Sequence, residues 1–123
     1  MSTRTATIES YHDGFRRSDH AAVLALLTDD VEWEIVGFSR HAGKAEFDAE
    51  IENPAFEGSP TLVIDRMLES EDAVTVLGRG VAHPRGGDDL PFSYCDVFTF
   101  SGDLIARVES YVVGVTPEVL AEG

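Results

Sequence analysis

Residues 92–115 read FSYCDVFTFSGDLIARVESYVVGV. Within them, residues 92–100 and 104–115 are rich in β-branched and aromatic side chains, which favour strands. The intervening Ser101-Gly102-Asp103 has the composition of a short turn. The stretch therefore predicts an antiparallel β-hairpin, and the rest of the chain has to cover one face of it.

Two segments before this hairpin also have the composition of strands. Residues 61–68 and 73–83 are rich in branched side chains, and the acidic turn at residues 69–72 separates them. The loop at residues 84–91 contains Gly86-Gly87 and connects them to the hairpin. The C-terminal half of the chain therefore predicts four strands connected as hairpins.

The N-terminal part of the chain predicts two helices. Over residues 5–17, apolar side chains recur at spacings of three and four, which places them on one helical face. These side chains are Ile8, Tyr11 and Phe15. Ser18 interrupts the pattern, and Asp19 is a good N-cap for a short second helix that runs through Leu27.

One strand and one more helix complete the order. In residues 31–36, Val31, Trp33 and Ile35 alternate with two glutamates, which predicts a strand with one buried and one solvent-exposed face. Residues 44–51 predict a third helix, since Phe47 and its apolar neighbours can form one buried side.

Helices first and strands afterwards are typical of an α+β fold. With 123 residues, of which 43% are apolar, the chain has the size and the core of a single domain spanning residues 1–123. We expect a curved antiparallel sheet shaped as a cone and wrapped by three N-terminal helices. Short helices do not fill such a cone completely, so we also expect a pocket.

The charge and the cysteine content argue against several classes of function. Nine Lys and Arg against 23 Asp and Glu give a formal net charge of -14, which disfavours nucleic acids and membrane surfaces as partners. Cys95 is the single cysteine, so no intrachain disulfide can form.

No signal peptide or membrane-spanning run is recognisable, and we expect a cytoplasmic protein. The histidines lack metal-ligand spacing and no phosphate-binding loop follows a strand, so we expect neither a metal nor a cofactor.

One acidic residue lies among aromatic residues in the first strand of the hairpin. Because side chains alternate along a strand, Asp96 shares its face with four rings. They belong to Phe92, Tyr94, Phe98 and Phe100. Loss of hydration there raises the pKa of a carboxyl, which then donates a hydrogen bond or acts as a base near neutral pH. The alternative is that Asp96 pairs with Arg79 or Arg107, or faces water.

Several strings, in this order and spacing, resemble a known superfamily. They are Tyr11, Asp19, LLTDDVEW at 26–33, HAGK at 41–44, CDVFTF at 95–100 and RVESY at 107–111. The chain is similar over nearly its whole length to the nuclear transport factor two-like superfamily, in particular its SnoaL-like and ketosteroid isomerase-like branches. The resemblance implies a cone-shaped fold, a homodimer formed through the sheet, and an enclosed pocket for a small hydrophobic ligand. The functions of the superfamily range from isomerases, polyketide cyclases, dehydratases and epoxide hydrolases to binding modules.

The resemblance also implies roles for individual residues. In the ketosteroid isomerase-like branch, residues matching Tyr11 and Asp96 donate hydrogen bonds to an oxyanion. The general base of that branch matches Ile35, which cannot accept a proton, so steroid isomerisation is not expected. Epoxide hydrolases of the superfamily have an arginine at the position of Tyr94, so that activity is not expected either.

A replacement base could come from the last strand or from a loop. Arg107, Glu109 and Tyr111 alternate onto one face, and if the strands pair as in the family, this face lines the cavity with Asp96. Glu109 would then be the base, although an unreactive Arg107–Glu109 pair fits the pattern slightly better. His41 is a further candidate because a histidine exchanges protons near neutral pH.

The apolar walls of the pocket, and with them the substrate-binding residues, are predicted from the aromatic side chains. They are Phe15, Trp33, Phe47, Phe56, Tyr94 and Phe98, joined by Arg107 and Tyr111. Three functions stay open at this point. The first is a cofactor-free isomerase, cyclase or lyase acting on a small hydrophobic carbonyl compound, the second a binding module for a hydrophobic metabolite, and the third a structural dimer.

Overall fold

A computed structural model of the protein describes residues 2–52 and 54–114. The helices are α1 (Thr3–Arg16), α2 (His20–Leu24) and α3 (Gly43–Ile51). The strands are β1 (Leu27–Ile35), β2 (Ser39–Ala42), β3 (Thr61–Glu69), β4 (Ala73–Ala82), β5 (Leu90–Ser101) and β6 (Leu104–Gly114). The predicted α+β class, with a curved open sheet, is therefore confirmed.

The six strands form one sheet in the order β2-β1-β6-β5-β4-β3. Neighbours pair antiparallel with one exception, because β1 runs parallel to β6. The expectation of a purely antiparallel sheet was thus wrong at this position. A parallel pair cannot be joined by a tight turn, and here the whole intervening chain forms the connection.

The end of the second helix and the presence of strand β2 differ from the sequence-based prediction. The second helix ends at Leu24 rather than at Leu27, because Leu27 already pairs with Ile105 of β6 and begins β1. Strand β2 was not predicted, since its four residues show no apolar alternation. The predicted cap of α2 is confirmed, because the Asp19 side chain accepts a hydrogen bond from the backbone N–H of Ala22 at 3.1 Å.

The sheet has one covered face and one open face. The covered face packs against the helices, and side chains from α1, α3 and the strands form a continuous core. Among its fully or nearly fully buried members are Ile8, Tyr11, Phe15, Phe47, Val76, Phe98 and Val108. No helix within the described residues is long and apolar enough to cross a membrane.

A glycine in β4 makes room for an aromatic ring of the core. Gly78 lies opposite Tyr94 of β5, and a Cβ atom built on Gly78 would meet the Val63 carbonyl oxygen at 2.3 Å and Tyr94 Cζ at 2.5 Å. Neither the β3 backbone nor a packed ring can move that far without disturbing the sheet. The close approach of Tyr94 to β4 therefore depends on glycine at this position.

We expect Gly78→Ala to lower the free energy of unfolding by about 1–3 kcal/mol, as overpacking of a filled core does. Urea denaturation measures the change. Gly87→Ala is the matched control, because its Cβ would meet only the Pro84 Cβ atom at an ordinary 3.6 Å. If the two variants were equally stable, the packing of Tyr94 over Gly78 would be incorrect.

Candidate functional site

Asp96 lies on β5, on the covered face of the sheet. Its direct partners are Val76 on β4 and Ser110 on β6. Directly paired residues of antiparallel strands point to the same face, and both partners are buried. The prediction that Asp96 shares the aromatic face of its strand agrees with this register.

Burial raises the pKa of Asp96 from its ordinary value of 3.8 to about 7, while a hydrogen-bonding interaction with the Ser110 hydroxyl opposes the shift. The residue nevertheless keeps part of its surface accessible. Neither of the arginines considered as partners reaches it, because Arg79 pairs with Asp65 at 2.8 Å and Arg107 pairs with glutamates. Asp96 is therefore a desolvated carboxyl with neither Arg79 nor Arg107 beside it.

Tyr11 reaches the same region from α1. Its ring packs edge-on against Phe98, with 4.9 Å between the ring centroids, and only 3% of the residue is exposed. Burial raises the pKa of its phenol well above the ordinary value of 10.0, and the charge of Asp96 raises it further. The two side chains therefore act on one another electrostatically. Tyr11 thus stays protonated at neutral pH. Its hydroxyl can donate or accept a hydrogen bond, but it does not act as a charged base.

Trp33 and Ser110 extend the polar group towards β1. The indole Nε1–H of Trp33 donates a hydrogen bond to Ser110 Oγ at 3.0 Å, and both residues are buried. Ile35 lies beside Ser110 in the parallel β1–β6 pair, so Ile35 faces the same side of the sheet as Asp96. An aliphatic side chain there supplies no proton acceptor.

Three residues predicted to line the cavity lie on the opposite face of the sheet. Because β5 and β6 pair Asp96 with Ser110, Glu109 is left opposite Val97, and Tyr111 opposite Cys95. The expectation that the charged side chains of β6 share the face of Asp96 is therefore wrong. The reason is a register in which Ser110 and Val108, not the charged residues, are buried.

On this open face Arg107 forms an ion-pair cluster. Its guanidinium lies 2.9 Å from Glu32, 3.3 Å from Glu34 and 3.4 Å from Glu109, measured between nitrogen and carboxylate oxygen. The Tyr111 hydroxyl lies 3.5 Å from Glu109, and Tyr111 is 44% exposed. The carboxyl of Glu109 is thus held by an arginine, as the alternative interpretation had it, and is separated from Asp96 by the sheet.

His41 lies within β2 rather than in a loop. Its Nε2 atom is 3.1 Å from Ser39 Oγ and 3.5 Å from a carboxylate oxygen of Glu50. Two strands, β1 and β6, lie between His41 and Asp96, which corresponds to roughly 14 Å at the usual strand spacing. The structure does not bring these two candidates together.

Most of the predicted aromatic walls belong to the core around Tyr11. Phe15, Phe47, Phe98 and Tyr94 are buried there, and Trp33 stacks at 4.6 Å on Phe47. Phe56 is the exception, because it is half-buried in the loop after α3, where it bridges to Pro84. The aromatic core on the covered face, the face of Asp96, is therefore built mainly from α1, α3 and β5.

Two clefts lie at the β1–β2 edge of the sheet. One of about 160 Å³ is lined by Trp33, His41 and charged residues that include Arg107, and one of about 220 Å³ lies around the turn at Phe38. Neither cleft is lined by Asp96 or Tyr11. The pocket expected around Asp96 stays a prediction.

A buried histidine was missed by the sequence analysis. His12 is 0% exposed, its Nδ1–H donates to the Ile8 carbonyl oxygen at 3.0 Å, and its Nε2 has no hydrogen-bond partner among the described residues. Its ring stacks on Tyr94 with 6.0 Å between centroids. Burial lowers the pKa of His12 from 6.5 to about 4, so the imidazole is neutral.

The spacing of the helix already contained the signal for His12. Ile8, Tyr11, His12 and Phe15 follow the i, i+3, i+4, i+7 pattern of one helical face. A histidine in that stripe is buried with its apolar neighbours, whatever its polarity. The sequence analysis left His12 out of this buried face because histidine is a polar residue.

The curved open sheet and the helices that cover one of its faces define a class of α+β domains. A model of the SnoaL-like domain family matches residues 8–108 of the chain. The chain therefore belongs to the SnoaL-like domain family. No curated protein matches the sequence.

Solved structures agree with this fold. An NTF2-like protein of unknown function from Burkholderia pseudomallei is 22% identical, with a TM-score of 0.81 over 98% of this chain and 97% of that one. An M. tuberculosis LEH-like epoxide hydrolase is 22% identical, with a TM-score of 0.79 over 90% and 83%. TerC, co-crystallised with polyporic acid, is 20% identical, with a TM-score of 0.78 over 98% and 96%. At these identities the similarity shows the fold alone.

Proposed function

We propose that the chain is a cofactor-free enzyme that moves a proton next to the carbonyl group of a small hydrophobic compound. This is the chemistry of isomerases, cyclases and lyases. Ionised Asp96 removes a proton from the carbon beside the carbonyl, and the electron pair of that C–H bond moves into the enolate. Tyr11 donates a hydrogen bond to the enolate oxygen, and protonated Asp96 then returns its proton to the compound.

The observation that carries the proposal is the pKa of Asp96, raised to about 7 by burial. A group of this pKa is present in both protonation states near neutral pH, which is the condition under which one residue can both take and return a proton. Since Glu109 faces the other side of the sheet, Asp96 is assigned the role of the base as well as that of the acid.

The surroundings of Asp96 support an apolar substrate with an oxygen atom. Tyr11 on α1 brings a hydroxyl donor whose pKa is raised by burial and by the charge of Asp96, and its ring packs among other rings that exclude water. The structural neighbour TerC was co-crystallised with polyporic acid. A flat apolar ketone matches this combination of one hydrogen-bond donor, one carboxyl and aromatic walls.

One observation favours a second candidate function, that of a binding module for a hydrophobic metabolite. Ile35 and Ser110 occupy the covered face beside Asp96 and supply no second carboxyl. In a binding module Asp96 and Tyr11 would only orient the ligand through hydrogen bonds. The two candidates differ in whether a bound ketone exchanges the hydrogens next to its carbonyl.

The test uses 2-tetralone, a small bicyclic ketone, dissolved with the protein in deuterium oxide. Proton NMR measures the rate at which deuterium replaces the hydrogens beside the carbonyl. We expect acceleration by the wild-type protein, loss of the acceleration in Asp96→Asn, and a barrier raised by about 1–3 kcal/mol in Tyr11→Phe, because the oxygen then lacks its donor.

Tyr111→Phe is the matched control, since it removes a tyrosine hydroxyl from the open face and leaves the covered face unchanged. Binding of 2-tetralone without exchange would contradict the enzyme and support the binding module. Exchange that persists unchanged in Asp96→Asn would contradict the role assigned to Asp96.

A further inference from the structure

We propose that Ser110, held by the indole of Trp33, is a positioning residue that decides which carboxyl oxygen of Asp96 carries the transferable proton. The inference deepens the proposed function and rests on it for its catalytic meaning. In structural terms it couples three side chains: Trp33 on β1, Ser110 on β6 and Asp96 on β5.

The first link joins Trp33 to Ser110. The indole N–H can only donate, and it points at Ser110 Oγ over 3.0 Å. A serine hydroxyl has two lone pairs and a single hydrogen, so the indole occupies one lone pair and cannot receive the hydrogen. With Ser110 only 5% exposed, water does not compete for that hydrogen either.

The second link joins Ser110 to Asp96. The two residues are direct partners in the β5–β6 ladder and point to the same face, a geometry that brings Cβ atoms to within about 4.5–5.5 Å. The indole on one side of Ser110 directs its hydrogen away from Trp33, and we assign the carboxyl of Asp96, the ladder partner on the other side, as the acceptor of that hydrogen. The effect of Ser110 on the acid, which favours its ionised form, agrees with a hydroxyl that donates to it.

The consequence concerns the two oxygens of the carboxyl. One oxygen of Asp96 accepts the hydrogen bond from Ser110 whether Asp96 is neutral or ionised. The Ser110 hydroxyl keeps its direction because Trp33 occupies one lone pair of Ser110 Oγ. The proton of neutral Asp96 therefore resides on the other oxygen, the one free to meet a ligand and the Tyr11 hydroxyl. Without Ser110 the two oxygens become equivalent, and the proton has no fixed position.

Other titratable groups do not obscure this coupling near neutral pH. Among the described residues, the titratable groups on the covered face that interact with Asp96 are Tyr11 from α1 and Tyr94 from β5, and burial raises the pKa of both phenols above the ordinary 10.0. Val76, its neighbour on β4, is uncharged. His12 packs on Tyr94 and changes its charge only near a pH of about 4.

The chain contains a single tryptophan, so its indole N–H gives a single tryptophan signal in a proton–nitrogen NMR spectrum. We expect this signal of the ligand-free protein to shift with pH around a midpoint near 7, where Asp96 changes its charge. The titration should disappear in Asp96→Asn. In Ser110→Ala the chemical shift of the indole N–H should no longer change when Asp96 titrates. The titration midpoint of the Asp96 carboxyl-carbon NMR signal should rise by roughly one pH unit, as expected for the loss of one hydrogen bond to a charged group.

Ser110→Thr keeps a hydroxyl in place, so both the indole titration and the Asp96 carboxyl-carbon midpoint should be those of the wild type. A purely structural role of Ser110 would not require this result. If Ser110→Ala does not fold, Trp33→Phe tests the same chain through the carboxyl-carbon midpoint, which should then rise. An indole signal that titrates unchanged in Asp96→Asn, or a carboxyl midpoint unchanged in the serine or tryptophan variant, would overturn the proposal. These spectra need neither ligand nor turnover, so their outcome is independent of the 2-tetralone experiment.

Discussion

Replacing Asp96 by Asn is expected to raise the free energy of unfolding at pH 8 by as much as about 4 kcal/mol. The pKa of Asp96 is raised from 3.8 in the unfolded chain to about 7 in the fold, so between these values the folded state binds more protons than the unfolded state. Stability therefore falls as the pH rises through this window. The amide of Asn stays neutral at every pH and avoids the loss.

Chemical denaturation at a series of pH values measures this difference. The gain should be largest above pH 7 and should vanish below a pH of about 4, where Asp96 is neutral in both states. Asp88→Asn, a change of the same type at an exposed loop position, is the control and should show no such trend. A variant that is less stable than the wild type at pH 8 would show that the acid is not desolvated. A gain in stability together with lost turnover is the pattern expected of a functional group that the fold accommodates at a cost.

Replacing His12 by Leu is expected to remove a loss of stability that the wild type suffers in acid. The pKa of His12 is lowered from 6.5 to about 4 by burial, so the unfolded chain binds more protons between these values. Wild-type stability is therefore fully present above pH 6.5 and declines as the pH falls towards 4. Relative to its effect at pH 7, the variant should gain about 3 kcal/mol at pH 4.

His20 provides a control of the opposite sign. Its ring nitrogens lie 2.6 Å from Glu52 and 2.6 Å from Asp48, and these hydrogen bonds raise the pKa of His20 above its ordinary value. Its contribution is therefore fully present below pH 6.5 and is lost as the pH rises through the raised value. His20→Gln should weaken the fold more at pH 5 than at pH 8. Parallel pH profiles for His12→Leu and His20→Gln would contradict the buried, neutral state of His12.

Alternation along single strands predicted much of the fold and part of the site. The face of Asp96 follows from the period of two in residues 92–100, because four rings on one side leave little doubt about which side is buried. The stripe of Ile8, Tyr11 and Phe15 placed α1 on the sheet in the same way. Both inferences need only local sequence, and the register of β5 and the burial of α1 agree with them.

The pairing and register of the strands were harder to predict than the positions of the strands in the sequence. In residues 104–115 one face carries Arg107 and Glu109, and the other carries Val108 and Ser110, so alternation alone does not say which pairs with Asp96. The lower cost of leaving an arginine and a glutamate in water favours the observed face, and that criterion would have excluded Glu109. The link from Trp33 to Ser110 depends on the parallel pairing of β1 with β6, which no local pattern encodes.

The central claim is that Asp96 is a desolvated acid that changes its charge near neutral pH. The carboxyl-carbon NMR signal of Asp96, assigned by its absence from the spectrum of Asp96→Asn and followed from pH 3 to pH 9, measures this most directly. We expect a midpoint at about 7. A midpoint at or below about 4, the ordinary range of an aspartic acid, would show a solvated carboxyl and would contradict the account of the site.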